Sequence, residues 1–202
     1  MAVRQSSRAA TTRQRILTAA SEELVETGDL EVAAVCRRAG VSVGLPYRYF
    51  ANRSGLLVAV VEEFYLRLWQ SAAGREYPQP TWAAREQARI HDWIAFLYAE
   101  PLSVMVLGGL TGDSAVAAAN QRQLRELIEL GAINIAHGQR SGELMSGRDP
   151  ELLAAAVLAG VHAAAATAIE RDKRPAAKVL FAQIWIFVKG AVGLPISVEE
   201  EL

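Results

Sequence analysis

Apolar positions recur at helical spacing along almost the whole chain, and they divide it into a run of helices. Ile16, Leu17, Ala20 and Leu24 line one face of a first helix. Thr11 with Gln14 fits a capping box at its start, and Gly28 fits its stop. A short second helix begins near Glu31. Its Val32, Val35, Cys36 and Ala39 form a single stripe at i, i+3, i+4 and i+7. Gly40 ends that helix, Ser42 is placed to cap a third, and Asn52 to cap a fourth that runs to Gly74.

The turn-rich segment "GREYPQPTW" leads to a fifth helix over about residues 83–99. Its "WIAFLY" run is apolar all round, which predicts a central place in a core. A short sixth helix follows at about 102–107, although "SVMVL" alone is also compatible with a strand, and "GGLTGDS" is a loop. The seventh covers about 115–137. The eighth opens with Asp149 as cap and Pro150 in the first turn, and the ninth covers about 176–192. The fold class is therefore all-α with about nine helices: a compact three-helix unit, then a larger apolar helical body.

Charge changes this picture. The formal net charge is only −1, but residues 1–53 hold eight arginines against five acids, and the first 21 residues hold no acid. Residues 54–202 carry the opposite excess, 13 Lys/Arg against 17 Asp/Glu. A basic front on an acidic body suits an N-terminal unit that meets a polyanion.

The second helix, the Gly40 turn and the third helix have the outline of a helix-turn-helix, whose second helix enters the DNA major groove. On a helical wheel, Pro46 and Phe50 point back to the stripe of the second helix. Gly44, Leu45, Tyr47 and Arg48 lie on the other side or its flanks. Gly44 lets backbone approach backbone. Tyr47, Arg48 and Tyr49 offer hydrogen bonds to phosphate, and Arg53 sits where the fourth helix begins.

"TRQRILTAASEELVETG" and "VCRRAGVSVGLPYRYFANRSGLL" together resemble the DNA-binding region of the tetracycline-repressor (TetR) family of transcriptional regulators. The resemblance covers about residues 11–57 and rests on "AGVS", the G-x-x-Y-x-Y-F run and the basic residue opening the next helix. It implies a DNA-binding domain over 1–53 and an effector-binding and dimerisation domain over 54–202. It further implies a homodimer on a palindromic operator, double-stranded DNA as partner, and repression. By position it assigns DNA-facing roles to Ser42, Val43, Gly44, Leu45, Tyr47 and Tyr49, with Arg53 where the family usually has a phosphate-binding lysine. Val43 stands where lysine is frequent, Leu45 where threonine is frequent, and Glu31 where threonine or serine is common. Apolar Val43 and Leu45 can pack on a thymine methyl but cannot hydrogen-bond a base edge. Sequence reading then falls more on phosphates, on Arg48 and on DNA shape.

A regulator of this kind needs a sensor. Trp69, Trp93, Phe96, Leu97, Met105, Leu110 and Leu127 are candidates to line an effector pocket, with His91 and His137 as polar groups. Such walls imply a small apolar or aromatic effector. The last two helices suit a dimer interface: small Ala156, Gly160, Ala163 and Ala164 on one, bulky Phe181, Ile184, Trp185 and Val188 on the other.

Other classes find less support. The three histidines are far apart and there is one cysteine, so no metal-ligand spacing exists and no metal or cofactor is expected. Nucleophile-elbow and nucleotide-loop motifs are missing, which argues against an enzyme. A helical enzyme or a protein-interaction scaffold without DNA binding stays as the alternative. Residues 152–169 lack charge over nearly the length of a membrane span, but most are alanine, and they read as a buried helix–helix contact. With a single cysteine and no secretory pattern in "MAVRQSSRAATTRQR", a cytoplasmic protein with no membrane partner is expected.

Overall fold

The structure is a computed structural model. It describes residues 2–108 and 112–194, with side chains from residue 9 onward. Among the described residues all regular structure is helical. The order is α1 (Ala2–Thr27), α2 (Val32–Ala39), α3 (Leu45–Phe50), α4 (Arg53–Leu68), α5 (Trp82–Ala99), α6 (Ser103–Gly108), α7 (Ser114–Arg140), α8 (Pro150–Ile169) and α9 (Ala177–Val192). A π-helical turn, Trp69–Ala73, closes α4.

Two compact units emerge, one of residues 1–66 with 109–121, the other of residues 67–108 with 122–202. In the first, Ile16, Leu17, Ala20 and Leu24 of α1 pack on Val35, Cys36 and Ala39 of α2. Leu56, Val60 and Phe64 of α4 complete that core. Full burial of side chains this size contributes roughly 1.5–3 kcal/mol each. Two side-chain bonds tie the start of α7 to α4: the Ser54 hydroxyl donates to Asp113 at 2.5 Å, and Tyr65 to Asn120 at 2.5 Å. The Ser54 hydroxyl, with two backbone N–H groups of α7, holds the Asp113 carboxyl below its ordinary value.

In the second unit, α5 packs on α9, and α8 packs on α6 and α9. Its core includes Trp82, Ile90, Ile94 and Leu97 of α5, Leu102 and Val106 of α6, and Leu180, Ile184, Trp185 and Val188 of α9. Thr81 caps α5 by accepting from the Ala84 N–H at 3.2 Å. Asp149 caps α8 by accepting from the N–H groups of Glu151 and Leu152.

Four expectations are corrected. α1 starts at Ala2, not at a Thr11–Gln14 capping box, because nothing between Ala2 and Thr11 breaks a helix. Ser42 does not cap α3 through its side chain; Gly44 is the N-cap, and Ser42 contributes its carbonyl to the Leu45 N–H at 2.9 Å. The "WIAFLY" run is not buried all round: Ile94 and Leu97 are, but Ala95 is exposed and Trp93, Phe96 and Tyr98 are half-buried. α8 is not buried within the chain either, with only 28% of its most apolar window covered. It is the one helix among the described residues long and apolar enough to cross a membrane.

Candidate nucleic-acid interface and ligand cavity

The turn between α2 and α3 is set by backbone geometry. Gly40 adopts a left-handed conformation (φ 62°, ψ 44°), and its N–H and that of Val41 bond the Arg37 and Cys36 carbonyls. Arg15 of α1 reaches across and donates to the Ala39 carbonyl at 2.5 Å. The chain then turns into α3, whose Pro46 fits the first turn, where no amide donor is needed.

α3 is pinned from behind. Pro46 and Phe50 are buried, and the Arg13 guanidinium stacks 5.3 Å from the Phe50 ring. Ala51 then takes a positive φ (61°), a strained conformation for a side-chain-bearing residue. Asn52 accepts from the Gly55 N–H at 2.8 Å and so opens α4. A Cβ on Gly55 would stand 1.9 Å from the Phe50 carbonyl oxygen, so this close junction admits only glycine.

With α3 held on that side, its other side is open. Ser42, Val43, Gly44, Tyr47 and Arg48 are exposed together, with Val43 56% and Tyr47 47% accessible. Leu45 and Tyr49 are half-buried on the flanks. Arg48 has no hydrogen bond or ion pair among the described residues, which leaves its charge available. Arg53 is differently placed: its Nε donates to the Leu30 carbonyl at 2.9 Å and its Nη2 pairs with Asp29. The Leu30 N–H, then the Arg53 charge, hold the Asp29 carboxyl below its ordinary value. Arg38 is likewise engaged, by Glu22, Glu23 and Glu26. Cys36 is buried, which pushes its thiol up.

The second unit contains a cavity of about 390 Å³. Trp82, Ile90 and Trp93 of α5, Leu127 and Leu130 of α7, Val157 and Val161 of α8, and Val188 and Val192 of α9 give it apolar walls. Glu86, Arg89, Asn134 and His137 are its polar members. Arg89 pairs with Glu86, and the Asn134 amide donates to the same Glu86 oxygen at 2.9 Å. The Arg89 guanidinium also lies 5.0 Å from the Tyr77 ring. The Tyr77 hydroxyl donates to Asp92 at 3.1 Å; burial, then the Asp92 carboxylate, push its pKa up to about 12.

Of the residues expected to line a pocket, Trp93, Leu127 and His137 do so. Trp69 and His91 are exposed, Leu97 is buried in the core, and Phe96 and Met105 are half-buried outside the cavity wall. Leu110 lies outside the described residues. Sequence reasoning missed Trp82, Glu86, Arg89, Ile90 and Asn134. A signal existed for Asn134, a polar residue inside the apolar run "GAINIA".

The residues assigned to a dimer interface also separate. Ala156, Ala163 and Ala164 are exposed, and Gly160 and Phe181 are half-buried. Ile184, Trp185 and Val188 are buried inside the unit, so they offer no face to another copy. The open apolar positions are instead Leu152, Val179 and Phe187, at 72%, 49% and 44% exposure. The Phe187 ring lies over Gly160, where a Cβ would meet it at 2.6 Å.

Residues 16–60 match the family model described as bacterial regulatory proteins, tetR family. The HTH-type transcriptional regulator BetI of Escherichia coli (strain K12 / DH10B) is 31% identical over 77 residues, 37% of this chain and 40% of that protein. The chain thus matches only about two-fifths of the length of these curated relatives. The fatty acid degradation regulator FadR from Bacillus halodurans superposes with a TM-score of 0.77 at 16% identity, over 87% of this chain and 93% of that one. FadR from Bacillus subtilis, in complex with stearoyl-CoA, gives 0.74 at 18% identity, over 89% and 98%. At these identities the two structures establish the shared helical fold.

Proposed function

By its match over residues 16–60 the chain belongs to the tetR family of bacterial regulatory proteins, and from that premise we infer that it is a ligand-responsive transcriptional regulator, a repressor that binds a palindromic operator as a homodimer. Residues 1–53 serve as the DNA-binding domain and 54–202 as the effector-binding and dimerisation domain, in the cytoplasm. The observation that carries this reading is the exposed set Ser42, Val43, Gly44, Tyr47 and Arg48, backed by buried Pro46 and Phe50. A short helix fixed on one side and open on the other is what major-groove entry requires.

The exposed set supports a particular mode of reading. Val43 packs on a thymine methyl, Ser42, Tyr47 and Tyr49 bond phosphates, and Gly44 lets the backbone close on the duplex. Arg48 carries the free charge. Release follows when an effector in the cavity of the second unit prefers one arrangement of its helices and so changes the fit to two half-sites. The apolar walls suit a small apolar or aromatic effector. A second reading, an acyl thioester, is favoured by the stearoyl-CoA in the Bacillus subtilis neighbour.

Selection of bound duplexes from a random pool tests the function. The expected product is a palindromic sequence whose affinity falls steeply with salt. A pool that stays random after repeated rounds at low salt would refute the reading.

A further inference from the structure

The charges in the cavity wall bear on what the cavity takes. Its walls are apolar apart from Glu86, Arg89, Asn134 and His137. Glu86 and Arg89 already neutralise one another, and both are largely withdrawn from solvent, at 18% and 26% side-chain exposure. Asn134 donates to the same carboxylate, and Tyr77 supports the guanidinium from its other side. Arg89 and Asn134 both bond the same Glu86 oxygen, so the pair is held in place and carries no net charge. A carboxylate or phosphate entering here would put a second anion beside Glu86 with one guanidinium for both, leaving a net charge in a partly buried site, a costly arrangement. An ammonium would face the mirror-image problem.

Spare hydrogen-bonding capacity includes several donors, beside the second Glu86 oxygen and the Asn134 carbonyl oxygen as acceptors. The Asn134 amide nitrogen carries a second N–H, and the guanidinium has further N–H donors beyond the one given to Glu86. These donors can serve a neutral acceptor without disturbing the pair. Size sets a further bound. At about 390 Å³ the cavity lies at the small end of ligand sites, which span roughly 300–1,000 Å³. A whole coenzyme A thioester is larger than this.

We propose that this cavity takes an uncharged, largely apolar molecule of that size with a single hydrogen-bond acceptor facing Arg89 and Asn134. This deepens the effector reading above and rests on it only for the link to operator release. A ketone or amide on an aromatic or alicyclic body fits, whereas a carboxylate, an amine or an acyl thioester does not.

Matched probes test this on the purified full-length chain by calorimetric titration: 2-acetylnaphthalene, 2-ethylnaphthalene, 2-naphthoate, 2-naphthylmethylammonium and isovaleryl-CoA. The ketone is expected to bind at least tenfold more tightly than any other member. Asn134→Leu and Arg89→Met should each remove most of the ketone's advantage over 2-ethylnaphthalene. Glu86→Gln frees the guanidinium, and 2-naphthoate should then gain at least tenfold while the ammonium gains nothing. Circular dichroism of each variant identifies any that fails to fold, and the wild-type ranking decides alone if all do. The proposal is overturned if 2-naphthoate or the thioester binds the wild type best. It is also overturned if the ketone shows no binding, or if Glu86→Gln folds and leaves the ranking unchanged. Duplex binding is measured separately by fluorescence anisotropy. Operator binding without ketone binding sinks this proposal alone, and ketone binding without operator binding sinks the regulator reading alone.

Discussion

Arg53 stands at the position expected to grip a phosphate, yet its guanidinium is held by Asp29 and the Leu30 carbonyl. The pair is exposed on both sides, so it contributes little to stability and much to where the charge points. Asp29 is therefore expected to act on DNA affinity through Arg53. Asp29→Asn is expected to strengthen binding to every duplex alike, because it frees the Arg53 cation. Arg53→Ala should weaken all sequences alike and lower the salt slope by about 0.9 per subunit. The double variant should match Arg53→Ala; a double variant that still gains affinity would show that Asp29 acts by itself. Leu45→Ala, by contrast, should alter the preference at one base step. His162 provides a residue-scale pH effect. Burial holds its pKa below the ordinary value of 6.5. Below 6.5 the unfolded chain takes up a proton that the folded chain resists, so stability is full above that value and is lost as pH falls through the lowered one. Unfolding in urea at about pH 7.5 and about pH 5.5 should show a larger loss for the wild type than for His162→Gln. Equal losses would mean that the imidazole is not the group responsible.

Two glycines on either side of α3 separate folding from recognition at the scale of an element. Gly55 sits where a Cβ would overlap the Phe50 carbonyl, so Gly55→Ala must displace α3 from α4 and should cost at least ~2 kcal/mol of stability. Gly44 meets nothing within 4 Å and has an ordinary φ of −77°, so Gly44→Ala should stay within about 1 kcal/mol. Its operator affinity should nevertheless drop, because a methyl group then stands between backbone and duplex. Thermal melts and anisotropy titrations of both variants check this, and a Gly44→Ala protein that binds normally would remove Gly44 from the interface. The same contrast explains what was legible in the sequence. Gly28, Gly40, Asn52 and the Asp149–Pro150 pair act on their own few residues, so the helix ends they set could be read directly. The exposed face of α3 was legible because Pro46 and Phe50 fix which side faces inward. The start of α1 was not, because Thr11 and Gln14 match a cap pattern within a segment that simply continues as helix. Cavity residues were harder still. Which side chains face a void depends on how α5, α7, α8 and α9 cross, and spacing within one helix does not contain that information. Trp82 read as the end of the turn-rich connection, and Val157 and Val161 as part of an alanine-rich contact helix, while all three line the cavity.

Among the described residues, α8 and α9 leave apolar positions uncovered in a single chain. α8 carries no charge from Leu152 to Ile169, yet Leu152, Ala156, Ala163 and Ala164 are open to solvent, and Phe187 and Val179 of α9 add to the patch. A soluble monomer rarely exposes a contiguous apolar surface of this kind, and the small residues allow a second helix to approach closely. Ile184, Trp185 and Val188 cannot form that contact, since they are already buried, so Phe187 and the α8 alanines are the positions to perturb. Ala163→Glu places a charge in the middle of the face without touching the buried core. Sedimentation should find the wild type as a dimer and the variant as a monomer with unchanged helix content. The consequence for DNA follows from charge counting. A dimer presents two copies of Arg48 and Arg53, so its salt slope should be about twice that of the monomer, at roughly 0.9 for each phosphate engaged. The monomer should also lose its preference for a palindrome over a single half-site, because nothing then fixes the spacing of two recognition helices. Ala163→Ser, which keeps the surface neutral and small, should behave as the wild type in both measurements. If Ala163→Glu remains dimeric, the contact between copies lies elsewhere, and α8 is left with only its role in the cavity wall.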